Sequence, residues 1–562
     1  MEKDSPREVE RVDTTTTTAS QNLKDAVRLG EVKTTKVKNV AFADAIAKDN
    51  PKPWSKSMLK LYAIMALVTL SMIPIPPRSG THGYADDCGN GFDGTIMSSV
   101  NAMDPWHEYF GVGMEGASIG AVFALYSVGN IVACFFVGSA CDLYGRRFGM
   151  GFGSAFIILG TIIQGCAQNI GTFMTGRFFL GFGVSISVTA APIYLVEMAY
   201  PSWRGATSGL YNVCGWYFGS LVSTWTAYGT GKLTSNWSWR VPILIQAVPG
   251  IVVLSLVWLI PESPRWLSSH GKTEQARTTL IKYHGAGNPE SAIVKLELEE
   301  MQAQINYAAE LDRSQKWWDY RMLFNNKENL YRMCTASLVT IFSQFVGGSV
   351  ITYYMPVILE NVGITSSSQQ LLLNGINVIF GFVSGVAGSF CVEKFGRRQL
   401  FLWGTFLTML TYIPINVIAA KAHGHVETGT GYAFIAMIFL YGIFWSFCWT
   451  PLQALYPTEV LRNDIRAKGM AVQSFVSGVA GFINTYATPV ALQNIGWKTY
   501  TIFLLLHGLE WVAMYFFIVE TKGRSLEEID EIFKSSQPVK VSLEKVEVVV
   551  EKGNGVTAEV GA

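Results

Sequence analysis

Asp142-Leu-Tyr-Gly-Arg-Arg147 returns 251 residues later as Glu393-Lys-Phe-Gly-Arg-Arg398. Each copy joins two long apolar runs, so each predicts a tight turn between two apolar segments. A second pair of polar turns, Pro261-Glu-Ser-Pro-Arg265 and Glu520-Thr-Lys-Gly-Arg524, has acidic residues 258 positions apart. Turns that repeat at nearly constant spacing predict two homologous halves with the same orientation, and such halves commonly enclose a site between them.

The charged residues are unevenly distributed around these turns. Of 85 charges in the 562-residue chain, 55 fall within residues 1–60, 261–330 and 520–562. Two charge-poor blocks remain, 61–260 and 331–519, and the chain has 49% hydrophobic residues. This pattern excludes an ordinary soluble domain. It also excludes a nucleic-acid partner, because a net charge of +1 offers no patch that would neutralise phosphates.

The apolar blocks divide into runs of the length that crosses a bilayer, about 20 residues each. Such runs occur near 117–141, 149–167, 172–196, 205–228, 240–260, 334–358, 370–391, 399–420, 432–456, 468–491 and 499–519. With a first span between 57 and 103, they make twelve. Only closed backbone hydrogen bonding is stable in lipid, so the fold class is predicted as an all-α polytopic membrane protein in two six-helix repeats.

Lysine and arginine lie in alternate connections between the spans, and the positive-inside rule then places both termini in the cytoplasm. We expect a multi-pass monomer in the lipid bilayer of the plasma membrane. The predicted organisation is a disordered tail at 1–56, a six-helix domain at 57–260, a helical cytoplasmic bridge at 261–330, a second six-helix domain at 331–519 and a tail at 520–562.

The cysteines carry no sign of a metal or redox site. Eight are present without a C-x-x-C pair, and most lie in or beside apolar stretches. Buried cysteines of this kind behave as small hydrophobic side chains. No constellation of catalytic residues is evident either. We therefore expect no metal, no cofactor and no enzyme activity.

Ordered motifs give the chain a resemblance to a known family. They are Gly138-x-x-x-Asp-x-x-Gly-Arg-Arg147, Gly176-Arg-x-x-x-Gly-x-Gly183, Pro192-x-Tyr-x-x-Glu-x-Ala199, Pro261-Glu-Ser-Pro-Arg-Trp-Leu267 and Glu520-Thr-Lys-Gly523. Together, from about Lys60 to Phe533, they resemble the sugar porter family of the major facilitator superfamily. More narrowly, the chain is similar to fungal hexose and lactose permease-like transporters.

The resemblance implies that charged residues at the turns act as latches that form in one conformation and break in the other. The expected pairs are Glu197 with Arg204, Glu262 with Arg265, and Glu393 with Arg397. The full set of latch candidates is Asp142, Arg146, Arg147, Glu197, Arg204, Glu262, Arg265, Glu393, Arg397 and Arg398. The alternative is that these charges only set the topology.

Sugar contacts of the family can be carried over position by position. They fall on Asn212, Gln344, Ser349, Tyr353, Asn377, Trp449 and Ser477, and Gln246 is a further polar candidate in the sixth span. Serine replaces the family's amides at Ser343, Ser349 and Ser477, which leaves room beside the site. This fits a disaccharide, a polyol or another polar metabolite. Any single amide could instead hold helices together.

Few ionisable groups lie within the spans, and each is therefore a functional candidate. In proton-coupled members of the family an aspartate and an arginine pair at the positions of Asp93 and Arg177. We expect Asp93 to be the proton site and Arg177 its partner, the alternative being a structural ion pair. His507 and Glu510, one turn apart in the last span, are candidates for a second titrating pair.

The first span is interrupted. The segment 72–87 contains three prolines, an arginine and two aspartates, which cannot lie in a helix that faces lipid. Removing roughly 15 residues would restore a span of ordinary length. We interpret the segment as a retained short intron in the gene model, or alternatively as a re-entrant insertion.

The predicted function is secondary active transport of a sugar or sugar-like solute by alternating access, with proton symport. The alternatives are a non-transporting nutrient sensor on the same fold and an exporter of a secondary metabolite. The sequence leaves open the solute, the direction of transport, uniport against symport, and glycosylation at Asn236-Trp-Ser238.

Overall fold

A computed structural model describes residues 56–68, 88–200, 204–312, 320–346, 348, 355–356, 359–360, 366–421, 428–462, 465–522, 524, 526–543, 547–552 and 556–561. The first half runs through α1 Lys56–Val68, α2 Cys88–Val100, α3 Asp104–Phe110, α4 Ala117–Tyr144, α5 Arg146–Gly165, α6 Ile170–Met198, α7 Arg204–Thr230, α8 Trp237–Ile245 and α9 Ala247–Leu256. The predicted insertion at 72–87 lies outside the described residues.

The connecting segment contains α10 Pro264–Ser269, α11 Thr273–Tyr283 and α12 Ala292–Asp312. The second half runs through α13 Lys327–Phe345, α14 Ser367–Phe395, α15 Arg397–Lys421, α16 Thr428–Cys448, α17 Leu452–Val460, α18 Arg466–Ile495 and α19 Lys498–Phe517. Two short helices follow, α20 Leu526–Lys534 and α21 Pro538–Leu543. Strands β1 Glu547–Lys552 and β2 Val556–Gly561 then pair as an antiparallel hairpin.

Nine helical segments of the described chain are long and apolar enough to cross a membrane. They coincide with nine of the predicted spans, those on α4, α5, α6, α8 with α9, α14, α15, α16, α18 and α19. The predicted span 205–228 lies on α7, a 27-residue helix with many Gly, Ser and Thr residues. The predicted span 334–358 begins on α13, beyond which few residues are described. This architecture confirms the all-α polytopic fold class and agrees with twelve spans.

The sixth span is divided at Gln246, between α8 and α9. Proline has no backbone N–H, so Pro249 cannot complete the helical bond to the carbonyl of residue 245. The Gln246 N–H bonds to the Ile243 carbonyl at 3.1 Å, three residues back rather than the four of an α-helix. The break lies at the residue whose side chain reaches Asp93.

The halves meet along two helix pairs, α4 with α18 and α7 with α14. We call the end of the bundle that carries Gly145 and Gly396 the basic end, and the end that carries Gly116 the distal end. Near the distal end, the Gly116 N–H bonds to the Pro489 carbonyl at 3.1 Å. A large hydrophobic cluster there joins residues of both halves, among them Phe92, Trp106, Leu371, Tyr412 and Leu492.

At the basic end, the hydrophobic clusters of the described residues stay within one half each. One runs from Met58 to Met301 and includes the connecting segment. The other runs from Val339 to Phe533. Between the two ends, the rings of Phe135 and Phe475 lie 6.1 Å apart across the α4–α18 contact. The structure therefore joins the halves at the distal end and keeps their cores separate at the basic end.

Candidate functional site

The first Gly-Arg-Arg turn forms a charged cluster with α6 and the residues that follow α9. The Arg146 guanidinium donates to both carboxylate oxygens of Glu197, at 3.1 and 3.2 Å. Ser263 also donates its hydroxyl to Glu197. The Glu262 carboxylate accepts the backbone N–H groups of Arg146, Arg147 and Ser263, at 3.2, 3.3 and 2.9 Å. Burial raises the pKa of the Glu262 carboxyl, and the three N–H donors act in the opposite direction.

The second Gly-Arg-Arg turn repeats this cluster in the other half. Arg397 donates to both oxygens of Glu459, at 3.1 and 2.7 Å. The Glu520 carboxylate accepts the backbone N–H groups of Arg397 and Arg398, at 2.9 and 3.0 Å. Thr521 donates to Glu459 at 2.6 Å, as Ser263 does to Glu197. We call these two arrangements the first clamp and the second clamp.

Both clamps depend on the glycine of the turn. Gly145 has φ +99° and Gly396 has φ +92°, a region that side chains rarely adopt. A Cβ atom on Gly396 would lie 2.6 Å from Glu520 Oε2, and one on Gly145 would collide with Glu262 in the same way. The glycine therefore allows the turn and also leaves room for the carboxylate that caps the next helix.

We predict that Gly396→Ala reduces uptake and accelerates amide exchange at the start of α15. The alanine would force the strained backbone to change and would push the Glu520 carboxylate away from the Arg397 and Arg398 N–H groups. Gly429→Ala is the matched control, because a Cβ there meets no atom within 4 Å. Normal exchange at α15 in Gly396→Ala would contradict the prediction.

The structure brings together some predicted latch residues and adds one. Arg146 Nη1 lies 3.3 Å from Asp142 Oδ1. Arg147 Nε donates to the Val257 carbonyl at 3.1 Å. Glu262 was expected to pair with Arg265, but its carboxylate accepts backbone N–H groups instead. The side chains of Arg204 and Glu393 lie outside the described residues. Sequence reasoning missed Glu459, although Pro457-Thr-Glu459 ends α17 much as Glu197 ends α6.

The expected proton site is buried between helices of the first half. Asp93 on α2 is 1% exposed and accepts a hydrogen bond from the Gln246 amide at the α8–α9 break. Arg177 on α6 is also buried, with its guanidinium 4.9 Å from the centre of the Tyr126 ring. Gln246 is therefore a neighbour of Asp93, a role that its position in the sequence did not indicate.

Among the predicted sugar contacts, Gln344 on α13 and Ser477 on α18 lie together. The Gln344 amide is 3.4 Å from the Ser477 hydroxyl and 3.4 Å from the Ser343 hydroxyl. The Asn484 side-chain amide on α18 donates to the backbone carbonyl of Gln344 at 2.6 Å, which holds the two helices in register. Asn212, Ser349 and Tyr353 lie outside the described side chains.

Two tryptophans lie at the end of α16: Trp445 within the helix and the predicted sugar contact Trp449 just after it. Trp449 is 0% exposed and packs on Phe401, so it presents no ring face to a solute in this conformation. The ring of Trp445 stacks on it with centroids 5.3 Å apart and is only partly buried. Asn377 on α14 is half-buried, beside Gly442 of α16. The Trp445 ring is therefore the more accessible of the two.

Tyr217 on α7 is a polar contact between the halves that sequence reasoning missed. Its hydroxyl donates to the Ser446 hydroxyl of α16 at 2.6 Å and lies 3.4 Å from the Thr450 hydroxyl. A solute between the halves would compete for these hydroxyl groups.

His507 and Glu510 on α19, the candidates for a second titrating pair, are both fully buried in the second half. The ring of His507 lies 5.0 Å from that of Tyr412, and its Nδ1 is 2.7 Å from the Phe503 carbonyl. The Glu510 carboxylate has no hydrogen-bond partner among the described residues. A titrating role for the pair stays a prediction.

Comparison with known families identifies the chain. The model of the family described as "Sugar (and other) transporter" matches residues 85–533, which include both clamps and Asp93. The chain belongs to the sugar (and other) transporter family. The match confirms the resemblance to sugar porters that the motifs indicated, and it begins within the predicted insertion. Members of this family are transporters rather than enzymes.

Similar proteins include transporters from several fungi. The chain is 28% identical to the MFS-type transporter criB of Aspergillus cristatus, covering 82% of this chain and 93% of that protein. It is 28% identical to a high-affinity glucose transporter of Kluyveromyces lactis, over 80% of this chain and 83% of that protein. It is 27% identical to a probable quinate permease of Aspergillus fumigatus, covering 87% and 90%.

Solved structures with the same fold include the xylose transporter XylE from E. coli. Its inward open conformation matches with a TM-score of 0.67 at 19% identity, covering 84% of this chain and 99% of that chain. XylE bound to 6-bromo-6-deoxy-D-glucose matches with a TM-score of 0.65 at 20% identity, covering 84% and 99%. These matches confirm the two-repeat major facilitator fold.

Proposed function

We propose that this sugar transporter family member carries a sugar or sugar-like solute together with protons by alternating access. The observation that carries the proposal is Asp93, a carboxylic acid 1% exposed in a membrane helix and bonded to Gln246. A charge at this depth costs several kcal/mol unless it is paired or neutralised. A proton that binds Asp93 on one side and leaves on the other would therefore change the stability of the helix packing around it.

We propose further that the basic end is cytoplasmic and that both termini lie on that side, in the plasma membrane. The arginines of the two clamps support this orientation through the positive-inside rule. The distal end, closed by contacts between the halves, would then be extracellular. The described conformation would accordingly face inward.

The solute is proposed to be a polyhydroxylated molecule that lies between Gln344 and Ser477 of one half and Tyr217 of the other. Hydroxyl and amide groups from both halves can exchange their hydrogen bonds for those of a sugar. Asn377 and the partly exposed Trp445 complete the wall formed by the second half. The serines at positions 343 and 477 favour a solute larger than a simple hexose or one with a different hydroxyl pattern.

Uptake of a panel of labelled solutes in a transporter-null host tests this function. The panel contains glucose, xylose, lactose, a hexitol and quinate. We expect at least one solute to accumulate above its external concentration, and an uncoupler that collapses the proton gradient to abolish the accumulation. Solute accumulation that is unchanged by the uncoupler would refute proton symport. Absence of flux in either direction would favour the sensor, and net efflux would favour the exporter.

A further inference from the structure

A groove at the basic end of the second half is unused by the proposed transport cycle. Its inner part, about 380 Å³ in volume, is lined chiefly by Leu330, Cys334 and Leu338 of α13 and by Phe517 of α19. Its outer part, about 500 Å³, continues past Tyr331 and Phe517 to Val539, Lys540 and Leu543 of α21. We call both parts together the C-terminal groove.

The inner part of the C-terminal groove is apolar and faces outward from the bundle. Leu330 is 43% exposed and Phe517 is 47% exposed. Leu330, Cys334 and Leu338 recur every four residues, so they form one stripe along α13. Because α13 and α19 contain predicted spans, we expect this stripe to run from the membrane surface at Leu330 into the hydrocarbon at Leu338, where an acyl chain would cover it.

The charged residues that line the described groove are all basic. Lys327 begins α13 and is exposed, and Lys540 on α21 is also exposed. Arg398 donates Nη1 to the Ile518 carbonyl and Nη2 to the Tyr515 carbonyl, both at 2.7 Å. Arg398 is only 6% exposed, but a guanidinium has five N–H groups, and those not used in these two bonds remain to donate to an anion that enters the groove. Basic pockets of this kind at the cytoplasmic side of membrane helices suit lipid phosphates.

We propose that the C-terminal groove binds one anionic phospholipid of the leaflet at the basic end. Its phosphate would lie between Lys327, Arg398 and Lys540, and one acyl chain would follow the apolar stripe to Leu338. The combination of a basic rim and an apolar floor is complementary to both parts of such a lipid. A free phosphate would use only the rim.

The bound lipid would also reach the second clamp. The Glu520 N–H donates to the Ser542 hydroxyl of α21 at 3.1 Å. Arg524 donates to the Ser542 carbonyl at 3.1 Å, which holds α21 against the same turn. Because the Glu520 carboxylate caps α15, a lipid that fixes α21 would stabilise the clamped conformation. The groove would thus let membrane composition influence the conformational equilibrium.

Native mass spectrometry of the full-length protein tests the proposal. The protein would be reconstituted in nanodiscs of phosphatidylcholine with increasing phosphatidylglycerol, and retained phosphatidylglycerol would be counted. We expect one retained molecule, and a roughly 10- to 30-fold weaker affinity in Lys327→Gln/Lys540→Gln, since each basic residue near a membrane surface contributes a few-fold. Lys232→Gln/Lys498→Gln, with the same charge change on exposed residues remote from the groove, is the control.

Two further arms separate the possible sources of the anion. Cys334→Trp fills the apolar part without a change of charge and should weaken retention as well. Inorganic phosphate at millimolar concentration should not displace the lipid. Equal retention by wild type and the Lys327→Gln/Lys540→Gln variant, equal loss in the control, or displacement by inorganic phosphate would each overturn the proposal. Because the measurement counts lipid and not solute flux, its failure is distinct from failure of the transport proposal.

Discussion

Asp93→Asn is expected to abolish accumulation of solute against its gradient while exchange of solute across the membrane continues. Asparagine has nearly the size of aspartic acid and cannot ionise, so it imitates the protonated acid permanently. Asp93 is buried and bonded to Gln246, and the amide of asparagine can keep a hydrogen bond to that side chain. The variant should therefore fold and bind solute, but its helix packing would no longer respond to the proton gradient.

The measurement compares net uptake with counterflow in vesicles that carry an imposed proton gradient. Glu108→Gln, an equivalent change at an exposed carboxylate on α3, is the control and should accumulate solute like the wild type. Full accumulation by Asp93→Asn would refute the proton site. Loss of counterflow as well as accumulation would assign Asp93 a structural role, because exchange requires no net proton movement.

Arg397→Ala is expected to reduce uptake at least ten-fold by breaking the second clamp. The side chain of Arg397 is 4% exposed and that of Glu459 is 20% exposed, and two hydrogen bonds join them. Removal of one member of a buried ion pair typically costs about 3–5 kcal/mol, because the other charge is left uncompensated. A change of this size shifts the equilibrium between clamped and unclamped conformations by roughly 100-fold or more.

Hydrogen–deuterium exchange at the start of α15, measured together with uptake, checks this prediction. Glu459→Gln should show a smaller change in the same direction, since its amide can still accept a hydrogen bond from Arg397. Lys295→Ala, which breaks the exposed Lys295–Glu290 ion pair, should leave uptake and exchange unchanged because solvent already screens that pair. If Arg397→Ala shows the hydrogen–deuterium exchange and the solute uptake of the wild type, the charges of the clamp only set the topology.

Much of the fold followed from local features of the sequence. Apolar runs predicted the spans, because backbone hydrogen bonds in lipid must be satisfied within a helix. The two Gly-Arg-Arg turns predicted the repeat, and the structure gives both glycines a positive φ and the same carboxylate contact. The interruption at Gln246 was not predicted, and neither was the contact of its side chain with Asp93, which lies 153 residues earlier in the chain.

The candidate site was less predictable because its contacts join distant residues. Arg146 meets Glu197 over a separation of 51 residues, and Arg397 meets Glu459 over 62. The pairing of Arg397 with the nearby Glu393 stays a prediction, because the side chain of Glu393 lies outside the described residues. Trp445 lies on α16 and Trp449 follows that helix one turn later, and only tertiary packing, against Phe401 among others, decides which ring is buried.

By itself the sequence determined that this protein is a membrane-embedded helical repeat of the sugar porter type. Hydrophobic length, charge asymmetry and turn motifs are properties of short segments and need no knowledge of neighbours. Only the tertiary structure decided that Glu459 and Glu520 hold the second clamp and that Gln246 bonds to Asp93. It also decided that Tyr217 bridges the halves at Ser446. These pairings depend on how helices pack, and side chains 51 to 229 residues apart meet only when the helices that carry them are in place.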